Sequence, residues 1–499
     1  MTHATAHAIS ISAINRSIAM RKAVAIGIAA VWLVATAALA AADTTNFIGR
    51  SHDHANIQPS LVINHLIALE DAVYPPRDGS TSGDAMIGEI VMFAGNFAPS
   101  GWAFADGQIL PIQQNASLFT VMGTTYGGDG RTTFKLPDLR GRTAVGEGNS
   151  PDLSDRRLGQ RSGAESVTMR TSDLPAHSHA LPPYAPRTEN SGSGESHYNI
   201  QPSLALNYTI ATTGLYPDPN SGSGNGQTYI GEIRRFAGSY APGDSEFTDG
   251  QLMSIGHNLA LFSLLGTTYG GDGRTTFAMP DLRGRTPVGQ GQAPGLMDIR
   301  IGQRFGQDAA PLTENQMPSH EHAWVHNSVV RLTGPAGGAQ PNMNTRPHSN
   351  HQPSLGMSYI ISLDGNDPSD PNVAMIDHFM GEVSLFGGTF APRGWAFAQG
   401  QLLAISQYSE LFGILSTTYG GDGTTTFALP DLRGRTAVHE GQAPGLTNRT
   451  LGQKFGAETA TLTELQMTQH NHVTPEPATM SMLALGGLAM LKRRGKRRS

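Results

Sequence analysis

A seven-residue block, TTYGGDG, occurs without change at 124–130, 267–273 and 417–423. An exact internal repeat at long period forces a tandem architecture, because each copy must solve the same packing problem. Further blocks keep the same phase. G-E-I/V opens each unit at Gly88, Gly231 and Gly381, and PDLRGR follows at Pro137–Arg142, Pro280–Arg285 and Pro430–Arg435. Each unit runs on to a His-x-His pair: His177/His179, His320/His322 and His470/His472. The chain has 499 residues, too many for one ordinary core. With 60 Gly, 31 Pro and only 15% charged residues, it reads as short strands and tight turns rather than long amphipathic helices. The expected class is therefore mainly β with short helices (α+β), built as a tandem repeat.

A second element, QPSL, recurs at Gln58, Gln201 and Gln352, out of phase with the openings. It follows the His pair in the first two units, whereas the copy at Gln58 precedes any opening and the third unit ends without one. Residues 56–74 either complete the third unit circularly or are a remnant. The divisions expected are 1–42; 43–87, carrying the orphan QPSL; 88–217; 231–363; 381–472, incomplete; and 474–499.

The ends differ from the body. Residues 1–42 hold Arg16, Arg21 and Lys22 and no acid, and residues 478–499 hold six basic groups and no acid. The body is left with 25 basic groups against 40 acids, a net charge near −15. That balance disfavours nucleic acid as a partner and suits divalent cations. Cysteine is absent, which removes disulfides, thiolate ligands and thiol nucleophiles. Residues 20–42 run from Met-Arg-Lys through an apolar stretch to small residues at Ala40 and Ala42, the pattern of a secretory signal peptide with Met1 or Met20 as its start. An uncleaved membrane anchor is the alternative.

YGGDG reads as a tight turn in which Asp bonds its own backbone; a phosphate loop is the alternative, but Thr-Thr-Phe follows it as a strand rather than a helix. Asn115 is placed to cap a short helix ending at Gly123, with Leu118, Phe119 and Met122 inward. Asp138, Arg140 and Arg142 fall on one face if their segment is a regular strand, as an internal ion-pair network or as a ligand contact. Trp102 and Trp395, absent from the second unit, suit either stacking on a sugar or the core. Segments 181–200, 217–228 and 364–374 read as loops, the last with a loose calcium-like set of acids. In His-x-His, alternate residues of an extended chain point the same way, so both imidazoles can approach one ion. Two ligands do not close a site, whereas three pairs offer six nitrogens, suited to a divalent transition metal such as Zn, Fe or Ni.

These blocks, with APSGWAFADGQ at 98–108 and MPS before His320, resemble the phage tail collar domain in its microcystin-dependent protein form. The resemblance covers 88–179, 231–322 and 381–472. Ala105, Thr248 and Ala398 stand where that family usually has Cys, and Gln399 and Thr424 depart from Asp106/Asp249 and Arg131/Arg274. The short tail fibres that such units resemble are trimers with a His centre, which implies a homotrimer or three units of one chain acting as one. Pro475-Glu476-Pro477, a short apolar stretch and a basic end resemble the PEP-CTERM sorting tail. This implies an exosortase-type processing enzyme, transient membrane anchoring, and delivery to the surface or matrix of a Gram-negative bacterium; a simple tail anchor is the alternative. The expectation is a non-catalytic secreted surface protein that adheres to exopolysaccharide or surface glycan. A fibre-like trimerising protein is the second reading and a polysaccharide-acting enzyme the third. The third lacks a repeated carboxylate pair, since Asp106 becomes Gln399 and Glu147 becomes Gln290.

Overall fold

The structure is a computed structural model that describes residues 45–474, apart from 50–53, 70–85, 152, 182–186, 194, 218–227, 319, 327–328, 334–335, 337–347 and 367–377. The protein is mainly β, with three α-helices of seven residues among the described residues: α1 (Ala116–Met122), α2 (Leu259–Leu265) and α3 (Ser409–Leu415).

Each G-E-I/V block forms a five-residue strand buried on both faces: Glu89–Phe93, Glu232–Phe236 and Glu382–Phe386. The three strands pair with one another in a closed triangle. Glu232–Ile233 pairs with Leu385–Phe386, Arg235–Phe236 with Glu89–Ile90, and Glu382–Val383 with Met92–Phe93. Closure hides edges that would otherwise template aggregation.

The QPSL strands tie one unit to the next. Ser203–Leu206 runs parallel to Thr143–Gly146 of the first unit, and Asn207–Ile210 then pairs antiparallel with the second unit's opening strand. Ser354–Ser362 joins the second and third units in the same way. The N-terminal copy closes the circle: Ser60–Val62 runs parallel to Thr436–Val438 of the third unit, and Asn64–Ile67 pairs with Ile90–Phe93 of the first. Where the three meet, the hydroxyls of Thr143, Thr286 and Thr436 lie 2.8–3.1 Å apart. The backbone N–H of each of Gln58, Gln201 and Gln352 donates to the side-chain oxygen of the next at 3.1 Å, around a complete ring.

One core serves all three units. Leu118, Leu261 and Leu411 from the helices pack in it with Phe134, Phe277 and Phe427 and with Leu139, Leu282 and Leu432. Phe119 is only partly buried, and Val121 takes an inward position beside Leu118 and Met122. Asn115 does not cap α1 with its side chain; its amide donates back to the Pro111 carbonyl. Gly123 ends the helix at φ 56°, and Ser416 takes the same conformation in the third unit. The GGDG turn is as expected: Asp129 Oδ1 accepts from the N–H groups of Arg131, Thr132 and Thr133, and the Thr132 hydroxyl donates to Oδ2 at 2.6 Å. A side chain on Gly128 would strike the Phe134 backbone. Thr424 makes the backbone bond that Arg131 makes, so that departure leaves the turn unchanged.

PDLRGR is not a regular strand. Gly141 turns it at φ 65°, so Arg140 folds back onto Asp138 at 2.9 Å while the Arg142 guanidinium donates to the Arg140 carbonyl. Asp281–Arg283 and Asp431–Arg433 repeat the ion pair. Ser196–Tyr198, inside a segment whose composition reads as a loop, is a strand paired with Ala309–Pro311.

Candidate metal centre

Each His-x-His follows a short 3-10 turn: Thr171–Asp173, Glu314–Gln316 and Glu464–Gln466. In the last two, Thr313 with Gln316 and Thr463 with Gln466 form capping boxes that fix the turn. Met169, Leu174, Leu312, Met317, Leu462 and Met467, which precede the histidines in the three units, bury together as one apolar cluster. All six imidazoles converge in one buried group, each at most 3% exposed.

Their arrangement is octahedral. Ring contacts, with centroids 4.7–5.5 Å apart, run along every edge of an octahedron whose opposite corners are His177/His322, His320/His472 and His470/His179. The first histidines of the three pairs form one triangular face and the second histidines the other. The Nε2 of His320 lies 3.2–3.3 Å from the Nε2 atoms of His177, His179 and His470.

Hydrogen bonding shows what those nitrogens are. The Nδ1 of His177, His320 and His470 each lies 2.9–3.1 Å from the backbone oxygen two residues earlier: Pro175, Pro318 and Thr468. The Nδ1 of His322 faces the Asn46 oxygen at 2.7 Å, and that of His472 faces Glu189 at 2.9 Å. A carbonyl only accepts, so Nδ1 carries the proton and a neutral ring presents a bare Nε2 lone pair. Burial, the largest cause, drives His177 and His322 down to about 4, His470 to about 3 and His320 to about 2, and also lowers His472. Neutral lone pairs facing one another cannot hydrogen-bond, and the Nε2 atoms of His322 and His472 are buried with no protein partner. Carbonyl-oriented imidazoles aimed at one point fit a metal ion. A full set of six nitrogens leaves no coordination position for a substrate, which suits a structural ion rather than a catalytic one.

Sequence reasoning found the six histidines but not the groups that aim the second of each pair. The backbone N–H groups of His179, His322 and His472 donate to the hydroxyls of Thr188, Thr333 and Thr45. Residues 45–48 thus supply the third unit's share, since Thr45 and Ile48 also bond to the backbone of His472 and His470. The three threonines were the signal available, but they sit in segments too dissimilar to align.

The other candidates lie elsewhere. Trp102 and Trp395 are only 7% and 8% exposed and pack edge-on against Phe379 and His378, a placement that favours the core role the sequence left open. In the second unit, the Trp site is remade as a buried ion pair, with Arg234 3.1 Å from Asp244. Ala40, Ala42, Pro475, Glu476 and Pro477 lie outside the described residues.

Among protein families, residues 88–144, 231–287 and 381–437 match the Phage Tail Collar Domain, and residues 473–498 match the PEP-CTERM protein-sorting motif. No curated protein and no solved structure matches the chain at a significant level. The chain carries three tandem Phage Tail Collar Domains followed by a PEP-CTERM sorting motif, the make-up of an exported structural protein.

Proposed function

We propose that one copy of this chain does what a trimeric fibre tip does with three: its collar units close around an axis, and a single divalent transition ion, held by His177, His179, His320, His322, His470 and His472, pins their loops together. The carrying observation is the octahedron of six imidazole rings drawn equally from three units of one polypeptide, five of them with Nδ1 held by a backbone carbonyl. The ion supplies cross-linking and no chemistry. Exosortase-type processing at Pro475-Glu476-Pro477 follows transient anchoring and leaves the protein at the surface or in the exopolysaccharide matrix of a Gram-negative bacterium. There it works by adhesion to glycan or partner chains, without turnover. In support of a repeated docking position, Ile109, Leu252 and Leu402 occupy the same place in each unit and are 61–64% exposed.

The same histidines also allow a second reading, a fibre-like protein that trimerises through them. Elemental analysis combined with light scattering on the purified full chain separates the two. One ion per single chain supports the first reading, whereas metal found only in a three-chain species supports the second. A metal-free protein after loading with Fe²⁺, Ni²⁺ or Zn²⁺ overturns both.

A further inference from the structure

A second set of histidines lies outside the collar blocks. His54, His197 and His348 each begin the pattern H-x-N-x-Q-P-S, which places Asn56, Asn199 and Asn350 and then Gln58, Gln201 and Gln352 on the same side of an extended chain. The three stretches stack as successive threefold layers. The glutamine ring is closed by its own hydrogen bonds. The asparagine amides donate to backbone oxygens of neighbouring segments: Asn56 to Ile200, Asn199 to His351 and Asn350 to Ile57. The histidines are fixed by short ribbons to equivalent strands, His54 opposite Val167, His197 opposite Ala310 and His348 opposite Ala460.

The imidazoles of this layer are 2–3% exposed and edge-on to one another, with centroids 5.0–5.2 Å apart. One ring nitrogen of each lies within 4.8 Å of the others. A tetrahedral ion with nitrogens at about 2.0–2.1 Å would set ring centroids roughly 5 Å apart, the spacing seen here. Neither nitrogen of His197 has a protein hydrogen-bond partner, nor has Nε2 of His348, whose Nδ1 is 3.1 Å from the Ser349 oxygen. Burying bare imidazole nitrogens is costly unless something binds them.

We infer that His54, His197 and His348 form a second metal site, a three-imidazole tripod for a tetrahedral divalent transition ion with its fourth position open to water or a small anion. It differs in kind from the six-histidine centre, which has no open position. Along each unit, Met169 and Leu174 and their buried counterparts fall between the residue paired with the tripod, Val167, Ala310 or Ala460, and the His-x-His pair. The inference does not depend on the six-histidine centre being loaded.

Co²⁺ alone is the probe, because four-coordinate Co²⁺ absorbs far more strongly in the visible than six-coordinate Co²⁺. The metal-stripped full chain is titrated with Co²⁺ and followed by visible absorption and native mass spectrometry. The expected result is an intense tetrahedral band saturating at one ion per chain. The band is lost in His197→Gln and in His348→Gln and kept in a His177→Ala/His320→Ala variant. Absence of the band in the wild type overturns the inference, as does a band that survives both glutamine variants. The wild-type titration decides even if the variants fail to fold.

Discussion

The protein treats two of its threefold layers in opposite ways. At the His-x-His layer every unit gives the same two residues, and the ring separations repeat within a narrow range from unit to unit. At the layer of Glu89, Glu232 and Glu382 the three carboxylates are equivalent in sequence but not in surroundings. Glu89 lies 3.9 Å from Arg234, which itself pairs with Asp244, whereas Glu232 and Glu382 share His378 at 3.3 and 3.1 Å. The difference follows from what each layer has to do. Side chains that are to hold one ion in common must converge on one point, so no unit can deviate. Buried acids need only compensating charge, which can come from any neighbour.

The largest expected effect removes the symmetric layer. Substituting His177, His320 and His470 with Ala should abolish metal retention. It should also lower the stability of the loaded protein by about 5 kcal/mol, the linkage value for an ion at roughly ten-thousand-fold its dissociation constant. Chemical unfolding with and without chelator measures this; equal stabilities for the wild type under both conditions would show that the ion does not pin the fold.

The asymmetric layer should break differently. Arg234→Ala leaves Asp244 and Glu89 buried without their cation and should cost about 3–5 kcal/mol. Combining Arg234→Val with Asp244→Gly and Ser245→Trp, the residues of the first unit, should recover most of that loss. If the combined variant is no more stable than Arg234→Ala, the compensation argument fails.

The fold was legible where residues repeat in phase with the structure. TTYGGDG gave the turn, and the two-residue spacing of His-x-His in three copies singled out the six residues that the fold gathers, while leaving open whether one chain or three brings them together. The tripod was not legible, since His54, His197 and His348 lie in the out-of-phase segment between the conspicuous blocks. Whether the N-terminal copy of QPSL completes the third unit or is a remnant stayed open in the sequence, because its partners, residues 436–438, are far along the chain. Burial of Trp102 and Trp395 depends on Phe379 and His378, contacts that spacing does not encode.

Titration gives a smaller handle on the same comparison. Burial, the largest cause, raises Glu89 to about 7 despite Arg234. Its folded value lies above the unfolded one, so its contribution is fully present below about pH 4.5 and is lost as pH rises through about 7. Glu232 runs the other way: His378 and Arg234 outweigh burial and hold it down to about 2, so its contribution is present above about pH 4.5 and lost as pH falls toward 2. Glu89→Gln should flatten stability between pH 4.5 and 7 by about 1–3 kcal/mol; an unchanged slope would place the titrating group elsewhere. The smallest effect concerns Ser416, which ends α3 at φ 49° where the other units have Gly123 and Gly266. Ser416→Gly should stabilise by about 1 kcal/mol in thermal unfolding.

In the proposed centre, one chain alone supplies all six ligands. Native mass spectrometry of the metal-loaded full chain tests it most directly. The expected species is a single-chain ion carrying metal that chelator removes slowly in the wild type and at once after substitution in any one unit. A single chain without metal, with the ion appearing only in a three-chain assembly, would contradict it.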